Sequence, residues 1–136
     1  MTSSSPSNAT PRDPAGEVAR ALRERDHFLI VSHVRPDGDA IGSTLGLLHA
    51  LRDLGKRAEA YNPSNVPEHL AFLPGSEHIK NTLNSQFRPE VTVFVDCGSP
   101  DRVDKDFRSQ GYVINVDHHA TNAVFEDEEL DALLVL

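Results

Sequence analysis

The chain has 136 residues, with 21 Asp and Glu against 13 Lys and Arg, a formal net charge of −8, and a single cysteine. That length supports one core, and the acidic balance argues against duplex DNA or an anionic membrane surface as partner. It leaves room for a phosphate-bearing substrate, because bound cations reverse the local sign. Cys97 has no second cysteine to pair with, which fits a reducing, cytoplasmic setting, and no leader or membrane-length apolar run is visible.

Residues 1–13 are rich in Ser, Thr and Pro and read as a flexible tail, with the folded part over 14–136. From Pro14 to about Arg25 the spacing of Val18, Ala21 and Leu22 predicts a short amphipathic helix. "HFLIVSH" is a nearly all-apolar run of the kind found in strands buried on both faces of a parallel sheet. Ile41, Leu45, Leu48 and Leu51 then predict a helix over about Ala40 to Leu54, with Gly55 placed to end it. "RAEAYN" (57–62) alternates weakly as a strand, and "PEHLAFLPGSEHI" reads as a short helix broken at Pro74-Gly75. "VTVFV" (91–95) and "YVINV" (112–116) are further buried strands, separated by a polar, loop-like stretch. After Asn122, "VFEDEELDALLVL" is acidic, and its leucines read as one face of a helix. Apolar strands alternating with helices predict an α/β domain: a mostly parallel sheet flanked by helices on its two faces.

The three best strands all run into metal-type side chains. The first leads to His33, Asp37 and Asp39, the second to Asp96, and the third to Asp117, His118 and His119. Ligand sites in open parallel sheets lie beyond the carboxyl ends of the strands, so these residues can gather at one edge. An isolated Asp-Gly-Asp is usually a turn, a strand-terminal Asp often a helix cap, and paired histidines are common on surfaces. The conjunction at three strand ends is what favours a metal site. Four carboxylates and three imidazoles crowd badly without cations; their mixture of oxygen and nitrogen donors suits Mn²⁺ well, leaves Zn²⁺, Co²⁺ and Fe²⁺ open, and suits Mg²⁺ less. Two such ions can activate a water for in-line attack on phosphorus.

"SHVRPDGDAIGS", "VFVDCGSPDR" and "VDHH", in this order and spacing, resemble the first three motifs of the DHH phosphoesterases over residues 26 to 122. The "PDGDAIGS" form is most similar to the branch of oligoribonucleases (short-RNA exonucleases) and pAp phosphatases. The resemblance implies two Mn²⁺ ions, one held by His33, Asp37 and Asp96, the other by Asp39, Asp96 and His118. Asp96 would bridge, His119 would face the substrate phosphate, and Asp117 would orient the histidines. Arg35, in the metal turn, would either touch a phosphate or stand in solvent, Gly38 and Gly42 would allow a tight backbone path, Ser43 would help order the first helical turn, and Cys97 would be a packing residue. His27, His49, His69 and His78 fall outside the motifs, and Arg102 is read as tying down a loop.

The family resemblance also implies a fourth motif, supplying another aspartate, and a smaller C-terminal domain that grips the substrate. Neither is present in this sequence, and Asp127 and Asp131 lie in the acidic stretch read as helix surface. The expected substrate is a short oligonucleotide or a nucleotide phosphate such as pAp. The alternatives are a pyrophosphatase-like activity and an inactive metal- or nucleotide-binding fragment. A parallel sheet cut short would leave an open edge and an uncovered apolar face, inviting association between chains or poor folding.

Overall fold

Asp37 decides where the longest helix begins. Its side chain accepts a hydrogen bond from the backbone N–H of Ala40 at 2.9 Å, so the helix starts at Gly38, ahead of the apolar periodicity that signals it. In the computed structural model, which describes residues 14–97, 102–117 and 132–135, this helix is α2 (Gly38–Asp53). It ends at Leu54, followed by Gly55 at φ 80°. The shorter α1 spans Pro14–Glu24.

Six strands form one sheet: β1 (Phe28–Val31), β2 (Ala58–Tyr61), β3 (Ile79–Lys80), β4 (Val91–Val95), β5 (Tyr112–Asp117) and β6 (Ala132–Val135). Their order is β3-β2-β1-β4-β5-β6, and every neighbouring pair is parallel. Phe28 of β1 aligns with Ala58 of β2 on one side and Val91 of β4 on the other. All of β1 and β4 is buried, as continuous apolar runs in a parallel sheet require.

The two faces of the sheet are covered differently. Phe28, Ile30, Val91, Val93, Val95 and Ile114 share one core with Val18 and Ala21 of α1 and Ile41, Leu45, Leu48 and Leu51 of α2. The opposite face carries Leu29, Val31, Tyr61, Phe94 and Val113, packed with Cys97, Val103 and Phe107 and flanked by Phe87. Phe107 stacks on Tyr61 with ring centres 6.1 Å apart and meets Phe94 edge-on at 5.8 Å. Among the described residues both helices therefore lie on one face, and loop residues cover the other. The sheet flanked by helices is as expected, and the described residues show helices on one of its faces. The β2–β3 and β4–β5 connections hold only short turns where they are described.

Three expectations change. "PEHLAFLPGSEHI" forms two single 3₁₀ turns, Glu68–Leu70 and Ser76–His78, because Pro74 and Gly75 (φ 86°) interrupt it. The two-residue β3 was too short to show any periodicity. Ala132–Val135, read as a helix face, is the strand β6, with Ala132 aligned to Ile114 and Val135 to Asp117. Leucine is tolerated in either state, and the hydrogen-bonding edge of β5 settles the choice. β6 thus adds to the edge of β5, and α1 passes beside the added strand.

At the opposite end of the strands from the motifs, Asp26 accepts from the backbone N–H of both His27 and Arg57 at 2.7 Å. Chiefly the Arg57 N–H, and then that of His27, hold its carboxyl below the usual range. His27 sits at φ 58°; Arg57 donates to its Nε2 at 3.0 Å, so Nδ1 carries the proton given to Glu90 at 2.8 Å. Arg25 lies over the Tyr112 ring at 3.8 Å. Among the described residues no helix is long and apolar enough to cross a membrane.

Candidate metal centre

Neighbouring parallel strands deliver their ends to the same place. β1 and β4 lie side by side, so His33, two residues past Val31, and Asp96, one past Val95, emerge together. Asp37 returns to them through the turn that opens α2. Donor atoms of His33, Asp37 and Asp96 all lie within 4.8 Å of one another. His33 Nε2 is 3.5 Å from Asp96 Oδ2 and 3.9 Å from Asp37 Oδ1.

The ring of His33 is fixed by its other nitrogen. Nδ1–H donates to the Val34 carbonyl at 2.8 Å, which leaves Nε2 facing the two carboxylates. Two carboxylates facing one point repel each other unless a positive charge, on the imidazole or on an ion, stands among them. Donors bound to one ion at about 2.1 Å stand roughly 3.0–3.4 Å apart, and the two His33 spacings lie just above that range. The group therefore fits a divalent ion, with one imidazole and two carboxylates as its protein donors.

The backbone around the group is unusual. Arg35 has φ 55° and Asp96 has φ 50°, left-handed values that cost non-glycine residues energy and persist where surrounding contacts enforce them. The Asp96 N–H is held by the Val116 carbonyl at 3.0 Å, and the Val34 N–H by the Arg102 carbonyl at 2.6 Å. Arg102 thus ties down the loop through its backbone, as expected. Gly38 and Gly42 do not carry the tight path: both lie inside α2, and a Cβ on either would meet nothing within 4 Å. Arg35 makes the turn in their place.

Asp37 does two jobs. The backbone N–H of Ala40 is the chief reason its carboxyl ionises below the ordinary range; burial opposes this, and His33 adds to it. A lowered carboxylate pKa contributes stability above the unfolded value near 3.8, lost as pH falls through the folded one. Asn caps a helix as well as Asp does. Asp37→Asn is therefore expected to preserve helix content by circular dichroism and lower Mn²⁺ affinity at least tenfold by calorimetry. It should also flatten the loss of stability below pH 4 in acid titrations.

Other predicted site residues are placed as follows. Asp39 lies in the first turn of α2, exposed, and is not part of the three-residue group. Asp117 ends β5, adjacent to β4 in the sheet. His118, His119, Asp127 and Asp131 lie outside the described residues. Arg35 is exposed on the turn, its N–H donating to Ser64 Oγ at 2.9 Å. Cys97 is buried in the loop-covered core. His49 Nε2 bonds the Pro74 carbonyl at 3.1 Å, away from the group. Sequence reading missed Asn62 and Asn115, both buried beside these turns; a polar residue at the end of an apolar strand was the available signal. A partly open hollow bordered by Leu29, Tyr61, Lys80, Phe87 and Arg108 contains none of the three donors.

Residues 27–134 match the family model described as DHH family, N-terminal domain. The chain belongs to the DHH family. Its three donors fall inside the DHH match. The chain is 45% identical over 109 residues to the bifunctional oligoribonuclease and PAP phosphatase NrnA of Thermus thermophilus, covering 80% of this chain and 32% of that protein. It is 25% identical over 112 residues to the protein of the same name from Bacillus subtilis, covering 82% and 35%. An exopolyphosphatase-related protein from Bacteroides fragilis superposes with a TM-score of 0.72 at 29% identity, over 88% of this chain and 37% of that one. The chain thus spans about a third of the length of these DHH relatives.

Proposed function

We propose that this chain contributes the metal-binding part of a phosphoesterase centre acting on short oligoribonucleotides or on nucleotide phosphates such as pAp. The observation that carries the reading is the convergence of His33, Asp37 and Asp96 at the carboxyl edge of the sheet, in a DHH-family chain. The names of the Thermus and Bacillus relatives point to this substrate class. Mn²⁺ is the expected ion, given one imidazole among hard oxygen donors.

His33, Asp37 and Asp96 would hold one ion, and Asp39, Asp96 and His118 a second. When bound, such ions acidify water and neutralise phosphoryl oxygens. Asp96, 5% exposed, keeps its carboxylate oriented without competition from bulk water. His33 presents Nε2 because Val34 holds Nδ1. Arg35 stands exposed on the same turn, where its guanidinium can pair with a phosphate oxygen. His119 would face the phosphate, and Asp117 would orient the neighbouring imidazoles.

The test is to supply Mn²⁺ and follow phosphate release from pAp, shortening of a labelled oligoribonucleotide, and hydrolysis of inorganic pyrophosphate. Mn²⁺-dependent turnover of the first two, absent in Asp96→Asn, supports the reading. Turnover of pyrophosphate alone replaces it with a pyrophosphatase. Ion binding without turnover of any substrate reduces it to a binding module.

A further inference from the structure

Among the described residues two asparagines are fully buried, Asn62 and Asn115, each 0% exposed. Asn62 directly follows β2, and Asn115 lies in β5, aligned with Phe94. In the sheet order these strands flank β1 and β4, the central pair whose ends supply His33 and Asp96. The two amides therefore stand on opposite sides of the candidate metal centre.

Their hydrogen bonds go to its backbone. Asn62 Nδ2 donates to the His33 carbonyl and to Ser32 Oγ, both at 2.8 Å, with the Ser32 carbonyl at 3.3 Å. Its Oδ1 accepts the Ser64 N–H at 2.8 Å, and Ser64 Oγ accepts the Arg35 N–H at 2.9 Å. One side chain thus braces the His33–Arg35 turn at two points. Asn115 Nδ2 donates to the carbonyl of Cys97, the residue after Asp96, at 3.0 Å. An aliphatic residue fills such space without the cost of a buried amide. What the amide adds is a directed bond to a carbonyl just where β1 and β4 end and the chain enters left-handed conformations, at Arg35 and Asp96.

We propose that Asn62 and Asn115 are positioning residues for the metal centre. Asn62 fixes the turn from which His33 presents Nε2, and Asn115 fixes the turn that carries the Asp96 carboxylate. The inference rests on the reading of His33, Asp37 and Asp96 as a metal site. Outer partners of metal ligands typically matter by 10–100-fold in affinity.

The experiment compares Mn²⁺ binding by calorimetry for the full chain and for Asn62→Ala, Asn115→Ala, Val18→Ala and Asp96→Asn, each checked for folding by circular dichroism. Val18→Ala weakens the helix-covered core without touching either turn. Both asparagine variants are expected to lose about tenfold or more in affinity, with Val18→Ala unchanged. Nitrogen NMR of the His33 ring in the metal-free chain at pH 8 supplies a second readout. It should show an Nδ1–H held against solvent exchange by the Val34 carbonyl in the wild type and a faster-exchanging one in Asn62→Ala. Asn62→Ser, which keeps one hydroxyl donor, is read the same way should Asn62→Ala not fold. Wild-type affinity in either folded asparagine variant, or an equal loss in Val18→Ala, overturns the inference while the metal site stands. Undiminished binding in Asp96→Asn removes the metal site and the inference together.

Discussion

Asp96→Asn is expected to abolish high-affinity binding of divalent ions and leave the fold intact. Asp96 is the most enclosed of the three converging donors, and its backbone at φ 50° is one that few residues accept. Asn is among those few, and it matches Asp in size, so the substitution removes the charge and little else. Without metal, the variant should unfold at a temperature no lower than the wild type, since a buried carboxylate close to Asp37 has been neutralised. With Mn²⁺ at about a hundred times the dissociation constant, the wild type should gain about 2.7 kcal/mol and the variant nothing. Calorimetric titration measures the binding, and thermal melts with and without Mn²⁺ measure the gain. If Asp96 bridges two ions, both are lost at once; survival of one full-affinity site would contradict the bridge.

Gly111→Ala should be the most damaging of the single-methyl additions. Gly111 has φ 72°, and a Cβ there would run into the Glu90 carbonyl, 2.6 Å from its carbon. That carbonyl also accepts the Tyr112 N–H at 2.8 Å, the bond that opens the β4–β5 pairing. The strain and the clash add, because neither backbone can retreat without unzipping the strands that carry Asp96. A loss of about 3 kcal/mol and a melting shift of about 10 °C are expected. Gly46→Ala provides the contrast: it lies within α2 with nothing within 4 Å of a new Cβ, so it should stabilise by up to about 1 kcal/mol. Equal melting temperatures for the two variants would contradict the account of Gly111.

The strands were legible where burial on both faces removed any ambiguity of period, as in "FLIV" and "VTVFV". The first donor cluster was legible because strand ends and parallel order together dictate where side chains meet. β6 was not, because "ALLV" suits a helix face or a strand equally until β5 offers its edge. The covering of the second face by Phe87, Val103 and Phe107 was invisible for a similar reason: isolated apolar residues in polar loops carry no periodicity. Gly38 and Gly42 drew attention as turn-makers, yet the left-handed residue was Arg35, enforced by contacts from Ser64 and Arg102 that lie far away in sequence. The buried asparagines were missed because their importance lies in what they touch across the sheet.

The placement of β1 has a kinetic consequence. It is made early in the chain, yet its partner β4 begins only at Val91, so the central pairing waits for a long loop to close. Until then Phe28–Val31 has β2 on one side only, its other hydrogen-bonding edge stands open, and a nascent chain stopped before Val91 should aggregate. The same closure brings His33 to Asp96. Competence to hold an ion therefore arrives only with this long-range closure, and an ion captured at that moment would act as a latch on the newly closed sheet.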